Sequence, residues 1–104
     1  SFSHGRSKAV AVEVKRKLES GDDFVFLDLR TPGEVERERL PGATCIPLAS
    51  LRGRLAELPR EKEIITFCQI SLRGYEGALI LRANGFSDVK VMDGGTAMWP
   101  YEKA

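Results

Sequence analysis

The stretch Glu63–Gly77, EIITFCQISLRGYEG, decides the fold. A short apolar run ends in a cysteine, a few mixed residues follow, and helical spacing takes over at Leu72. A run such as EIITF suits a strand buried on both faces. A strand that passes at once into a helix is half of a parallel crossover unit. That placement puts Cys68 at the carboxyl edge of a parallel sheet, the edge where such sheets bind ligands.

The same alternation continues on both sides. Residues 7–20, SKAVAVEVKRKLES, carry Val10, Val14 and Leu18 at helical spacing, and Gly21 stops them. FVFLDL, Phe24–Leu29, is another continuous apolar run and predicts a buried strand. Thr31-Pro32-Gly33 breaks it, and residues 34–40 predict a short helix. ATCI, Ala43–Ile46, reads as a short strand bounded by Pro41-Gly42 and Pro47. Leu48, Leu51, Leu55 and Leu58 mark an amphipathic helix that ends at Pro59. The helix over 72–84 places Leu72, Tyr75, Leu79 and Ala83 on one face, with Gly85 as its stop. DVKVM, Asp88–Met92, predicts a fourth strand, and Gly94-Gly95 turns the chain into a last short helix carrying Met98 and Trp99. The expected fold is α/β with three layers: a central parallel sheet of four to five strands, helices on both faces and right-handed crossovers. Residues 1–7 read as a flexible leader and 8–104 as one domain.

Bulk composition narrows the function. At 104 residues with 42% hydrophobic content, the chain can bury a core and is not disordered. Its charge of +1 comes from 16 basic and 15 acidic residues whose signs interleave, so no nucleic-acid stripe exists. No apolar run is long enough for a membrane span, and no signal-peptide pattern is present; the expected location is cytoplasmic. Two cysteines, Cys45 and Cys68, are too few for a disulfide scaffold or a zinc site, and no metal or cofactor is expected. The one histidine, His4, lies in the leader, so any chemistry must proceed without it.

Cys68 is the candidate nucleophile. The residues after it, Gln69, Ile70, Ser71, Leu72, Arg73 and Gly74, must turn the chain into a helix, and amides at a helix start have no intrahelical acceptor. They and the helix dipole favour negative charge and stabilise a thiolate. An inward-facing Arg73 adds a permanent positive charge. The plain alternative is a small buried hydrophobe that ends a strand, a common place for a free cysteine. Asp28 and Arg30 read as supports that brace the site, with Arg30 in reach of Glu34 if the turn folds back. Cys45 reads as core packing rather than as a resolving partner for Cys68. Trp99 reads as a core anchor, and Tyr75 is left open between core and substrate wall.

Three ordered elements resemble the rhodanese homology domain: FVFLDLRTPGEVERERLPGATCIPL, the loop CQISLRG, and GFSDVKVMDGGTAMW. The loop looks most like the rhodanese domains of coenzyme A-disulfide reductase-type flavoproteins. The resemblance implies a sulfurtransferase. Cys68 takes a sulfane sulfur from thiosulfate, a persulfide or a polysulfide as a persulfide, and passes it to cyanide, a thiol or a protein acceptor. It implies no cofactor, and as partners a small sulfur donor and a flavoprotein disulfide reductase module. The edge strand usual before the family's first helix is missing from the sequence pattern, which suggests a piece of a longer protein. Where the family often has Gly-His-Ile this chain has Glu38, Arg39 and Leu40, and Ser71 stands where glycine is frequent. The loop has no basic residue before Arg73, so thiosulfate activity is expected to be weak and a less charged persulfide to suit it better. Two rivals remain: a persulfide carrier or regulatory module without turnover, and a cysteine phosphatase or arsenate reductase. Four residues separate Cys68 from Arg73, against five in phosphatase-type relatives, and no general acid is evident.

Overall fold

The computed structural model describes residues 8–70, 72–101 and 103. Its elements are β1 (Lys8–Ala9), α1 (Ala11–Ser20), β2 (Phe24–Asp28), α2 (Pro32–Arg37), β3 (Ala43–Cys45), α3 (Leu48–Leu51), β4 (Glu63–Phe67), α4 (Leu72–Ala83) and β5 (Val89–Met92). Short 3-10 helices cover Arg52–Glu57 and Gly95–Met98. The strands form one sheet in the order β1-β5-β4-β2-β3, and every pairing is parallel.

Strand side chains alternate between faces, and the two cores follow that period of two. Phe24 and Phe26 of β2, Ile65 and Phe67 of β4 and Met92 of β5 face Val14 and Leu18 of α1 and Trp99. Phe26 and Phe67 stack there with ring centroids 4.3 Å apart. On the other face Leu27, Ile64, Val89 and Val91 pack against Leu51, Leu58, Ala78, Leu81 and Phe86. This is the three-layer arrangement expected, with β4 in the middle of the sheet.

Three local expectations need correction. The pattern over 7–20 is not one helix: Lys8–Ala9 is a strand that pairs with Val91 and Met92, and α1 begins at Ala11. The edge strand is therefore present, and two residues are too few to show a period. The amphipathic segment 48–58 is one turn of α-helix followed by a 3-10 helix with a kink at Arg54, in a stretch that Gly53 weakens. Its leucines still point inward, with Leu51 and Leu58 buried. The helix after the break at 31–33 is Pro32–Arg37 rather than 34–40, because Thr31 caps it.

In α4 the hydrophobic spacing does not mark the buried face. Leu72 and Leu79 are exposed, at 71% and 52%, and Ala83 is exposed as well. Of the one face that Leu72, Tyr75, Leu79 and Ala83 share, only Tyr75 is partly buried against the core. The buried residues are Gly74, Gly77, Ala78, Ile80 and Leu81. Close approach explains the difference. A Cβ on Gly77 would run into the Leu29 side chain, and one on Gly74 would lie 3.1 Å from Val91 Cγ1. The helix backbone rests on the sheet, and the smallest residues make the contact.

The leader, residues 1–7, lies outside the described residues. Among the described residues no helix is long and apolar enough to cross a membrane, and no cluster of His, Cys, Asp and Glu could hold a metal ion.

Candidate functional site

β2 and β4 end level with each other: Asp28 pairs with Phe67, and the Leu29 amide donates to the Phe67 carbonyl at 2.9 Å. The two chain segments that leave these strands therefore emerge side by side. Cys68 follows Phe67 and is only 2% exposed, whereas Gln69 and Ile70 beside it are exposed. Neither apolar cluster includes Cys68.

The loop is held at both ends. At one, the Thr96 and Ala97 amides donate to the Cys68 and Gln69 carbonyls, each at 2.9 Å. Gly95 makes that approach feasible. Its φ is +57°, and a Cβ there would strike the carbonyl oxygens of Cys68 and Ile70. At the other end, the buried hydroxyl of Thr66 donates to the Gly74 carbonyl at 2.8 Å. The helix that starts at Leu72 is thus tied back to the strand that delivers Cys68.

Arg73 is the one basic side chain from Cys68 to Arg73. Its Nη1 and Nη2 donate to Oε1 and Oε2 of Glu34 at 2.7 and 2.9 Å. This two-point pair raises the Arg73 pKa; the Cys68 sulfur adds a smaller push as a nearby charge and hydrogen-bond partner. Glu34 is held down to about 2, first by Arg73 and then by the Thr31 amide. Glu34 also closes a capping box with Thr31, which holds its carboxylate from its own helix while Arg73 binds it from the loop.

Asp28 and Arg30 form a separate, buried unit. Arg30 Nε and Nη2 donate to the Asp28 carboxylate at 3.0 and 2.8 Å, and Nη2 also donates to the Glu38 carbonyl at 2.7 Å. Hydrogen bonding to Asp28 raises the Arg30 pKa. The turn does bring Arg30 within electrostatic reach of Glu34, as expected, but the two do not pair. Arg30 turns to Asp28 beside it, and the carboxylate of Glu34 goes to Arg73.

Other candidates divide as follows. Gln69 lines a depression of about 250 Å³ with Arg30, Glu34, Arg37, Glu38 and Thr96. Ile70 and Leu72 stand out into solvent, Gly74 lies in the contact of α4 with the sheet, and Ser71 lies outside the described residues. Trp99 is a buried anchor, as expected. Tyr75 packs at the core edge with the Lys8 ammonium over its ring. Cys45 is half-buried, its thiol donating to the Arg30 carbonyl at 3.5 Å, and burial pushes that thiol up. Sequence reasoning missed Thr66, Thr96 and the partner of Glu34. The Thr31-x-x-Glu34 capping signature was visible; the two threonines carry no local signal.

The family model for the Rhodanese-like domain matches residues 10–101. A protein of Allochromatium vinosum named a sulfurtransferase is 26% identical over 86 residues, which are 83% of this chain and 80% of that protein. The crystal structure of reduced Bacillus anthracis CoADR-RHD superposes with a TM-score of 0.82 at 35% identity, over 89% of this chain. The chain spans only 16% of that longer one. A rhodanese-like domain protein from Staphylococcus aureus gives a TM-score of 0.85 at 25% identity, over 92% of this chain and 93% of that one. With nearly its whole length matched by the family and the parallel sheet of its solved relatives, the chain belongs to the rhodanese-like domain family.

Proposed function

We propose that this domain moves sulfane sulfur through a persulfide on Cys68. The observation that carries the reading is the position of Cys68: it directly follows the last residue of the central strand and opens the loop to α4. The Arg73 guanidinium five positions on feels its charge. The Cys68 thiolate attacks the outer sulfur of the donor. A new S–S bond forms, the donor's own S–S bond breaks, and the electron pair leaves with sulfite or a thiolate. In the second displacement an acceptor takes the outer sulfur and the Cys68 thiolate is restored. Loop amides of Ile70, Leu72, Arg73 and Gly74 cradle the charge on the terminal sulfur, and neither step needs a histidine. Asp28 and Arg30 brace the loop from the neighbouring strand.

The donor that suits the site is a persulfide or polysulfide rather than thiosulfate. Arg73 is already paired with Glu34, and the side chains of Ile70 and Leu72 offer apolar surface. A thiol, small or on a protein, serves as acceptor, and a flavoprotein disulfide reductase module is the partner its likeness to CoADR-RHD suggests. A cytoplasmic setting suits a free thiol of this kind.

The test is cyanide-dependent thiocyanate formation together with mass spectrometry of the protein after donor treatment. A gain of about 32 Da on Cys68 marks one added sulfur. The native protein is expected to gain it and to turn over, and Cys68→Ser to do neither. Thiocyanate formed equally by both would overturn the proposal. Mass gain without turnover would identify a carrier instead of an enzyme.

A further inference from the structure

We propose that Glu34 is a positioning residue that sets donor preference, holding Arg73 so that the loop discriminates against dianions. The inference rests on the sulfur-transfer reading and deepens it. Arg73 is the loop's only permanent cation, and both of its terminal nitrogens are bound to one carboxylate at 2.7 and 2.9 Å. Glu34 is itself held by the Thr31 amide at 3.0 Å, which opposes its swinging away from an incoming anion. Glu34 and Gln69 also line one depression with Arg30, Arg37 and Glu38, two cations against two carboxylates, which places the Glu34 carboxylate at the approach to the loop without a net positive charge around it.

Two effects follow. The charge of Arg73 is cancelled where a donor would feel it, and its best bidentate donors are not free to grip a sulfonate. Thiosulfate brings two negative charges to this place, and an organic thiosulfonate or persulfide anion brings one. Coulomb repulsion from Glu34 scales with that charge, so the penalty falls hardest on thiosulfate. The chemistry is the same in each case: the Cys68–S bond forms, the donor's S–S bond breaks, and sulfite, a sulfinate or a thiolate leaves with the electron pair.

The experiment compares thiosulfate with benzenethiosulfonate as donors, cyanide as acceptor, in native protein, Glu34→Gln and Glu34→Asp. Removing the charge is expected to raise kcat/KM roughly tenfold for thiosulfate and roughly threefold for the monoanion. The ratio of the two then shifts in Glu34→Gln and stays near the native value in Glu34→Asp, which keeps the charge. An unchanged ratio in Glu34→Gln, or an equal shift in both variants, overturns the proposal. Should Glu34→Gln fail to fold, the native protein still decides. A neutralised loop predicts that thiosulfate kcat/KM changes by less than about twofold between roughly 20 and 200 mM KCl. A steep fall over that range overturns the inference. Persulfide formation on Cys68 with an unchanged donor ratio sinks this inference alone; no persulfide from either donor sinks the sulfur-transfer reading beneath it.

Discussion

The hydroxyl of Thr66 donates to the carbonyl of Gly74 across 2.8 Å, and this bond closes a ring around the Cys68 loop. Thr66 sits two residues before Cys68 and Gly74 one residue after Arg73, so the pair sets how far β4 and α4 stand apart. Thr66→Val keeps the shape and removes the donor. It is expected to cost about 1 kcal/mol in urea unfolding, the ordinary worth of a buried hydrogen bond. Sulfur transfer should fall further than stability does, by roughly tenfold, because the loop geometry loosens. Unfolding and turnover measured on the same preparation check both.

Gly95 supports the loop from the opposite side. Its φ of +57° disfavours any Cβ, and the space a Cβ would need holds the Cys68 and Ile70 carbonyls. Backbone cannot step aside as a flexible side chain does. Gly95→Ala is expected to displace the loop, to cost about 2 kcal/mol, and to reduce thiocyanate formation strongly. Gly33→Ala is the control, since nothing lies within 4 Å of its Cβ position and its φ is not left-handed; it should leave activity unchanged.

What the sequence could say depended on whether a feature is local. EIITF and DVKVM read as strands because each is a short apolar run between turn signals, and Glu63–Phe67 came out with the expected bounds. β1 was invisible, since two residues carry no period and its apolar member continues the pattern of α1. The buried face of α4 was not legible because glycine and alanine give no hydrophobic signal, although close backbone contact selects them. At the site, Cys68 and Arg73 stand in one quoted stretch and were legible together. The bond from Arg73 to Glu34 joins residues 39 apart and belongs to the fold, not to any segment.

Asp28 and Arg30 are 1% and 3% exposed, and each is the other's charge partner. Breaking such a pair from one side leaves a buried charge without compensation. Arg30→Ala is expected to destabilise by about 3 kcal/mol or more, and also frees the Glu38 carbonyl that Arg30 binds. Replacing both residues with apolar ones should cost less than the sum of the two single changes. A double-mutant cycle in urea measures the difference.

Cys45 is too far from Cys68 to act as its resolving thiol. Cys45 pairs with Asp28, and Asp28 with Phe67, so two strand spacings, about 10 Å, separate Cys45 from the end of β4. A disulfide needs Cα atoms within about 7 Å. Oxidation of the native protein by diamide should therefore give no bond between Cys45 and Cys68 on peptide mapping, and Cys45→Ser should retain sulfur transfer.

Acid should weaken the fold partly through Glu34. Its pKa is lowered from 4.5 to about 2, so the folded protein binds its proton less readily than the unfolded chain does. Such a group stabilises fully above its unfolded value, and that contribution is lost as pH falls from about 4.5 through about 2. Because the pair with Arg73 is partly open to solvent, the amount at stake is about 1 kcal/mol. Glu34→Gln has no such proton to bind. Urea midpoints of the two proteins should differ most at pH 5–7 and converge toward pH 2 if the capping bonds are retained. Parallel curves through that window would show that the Arg73–Glu34 pair does not stabilise the folded state.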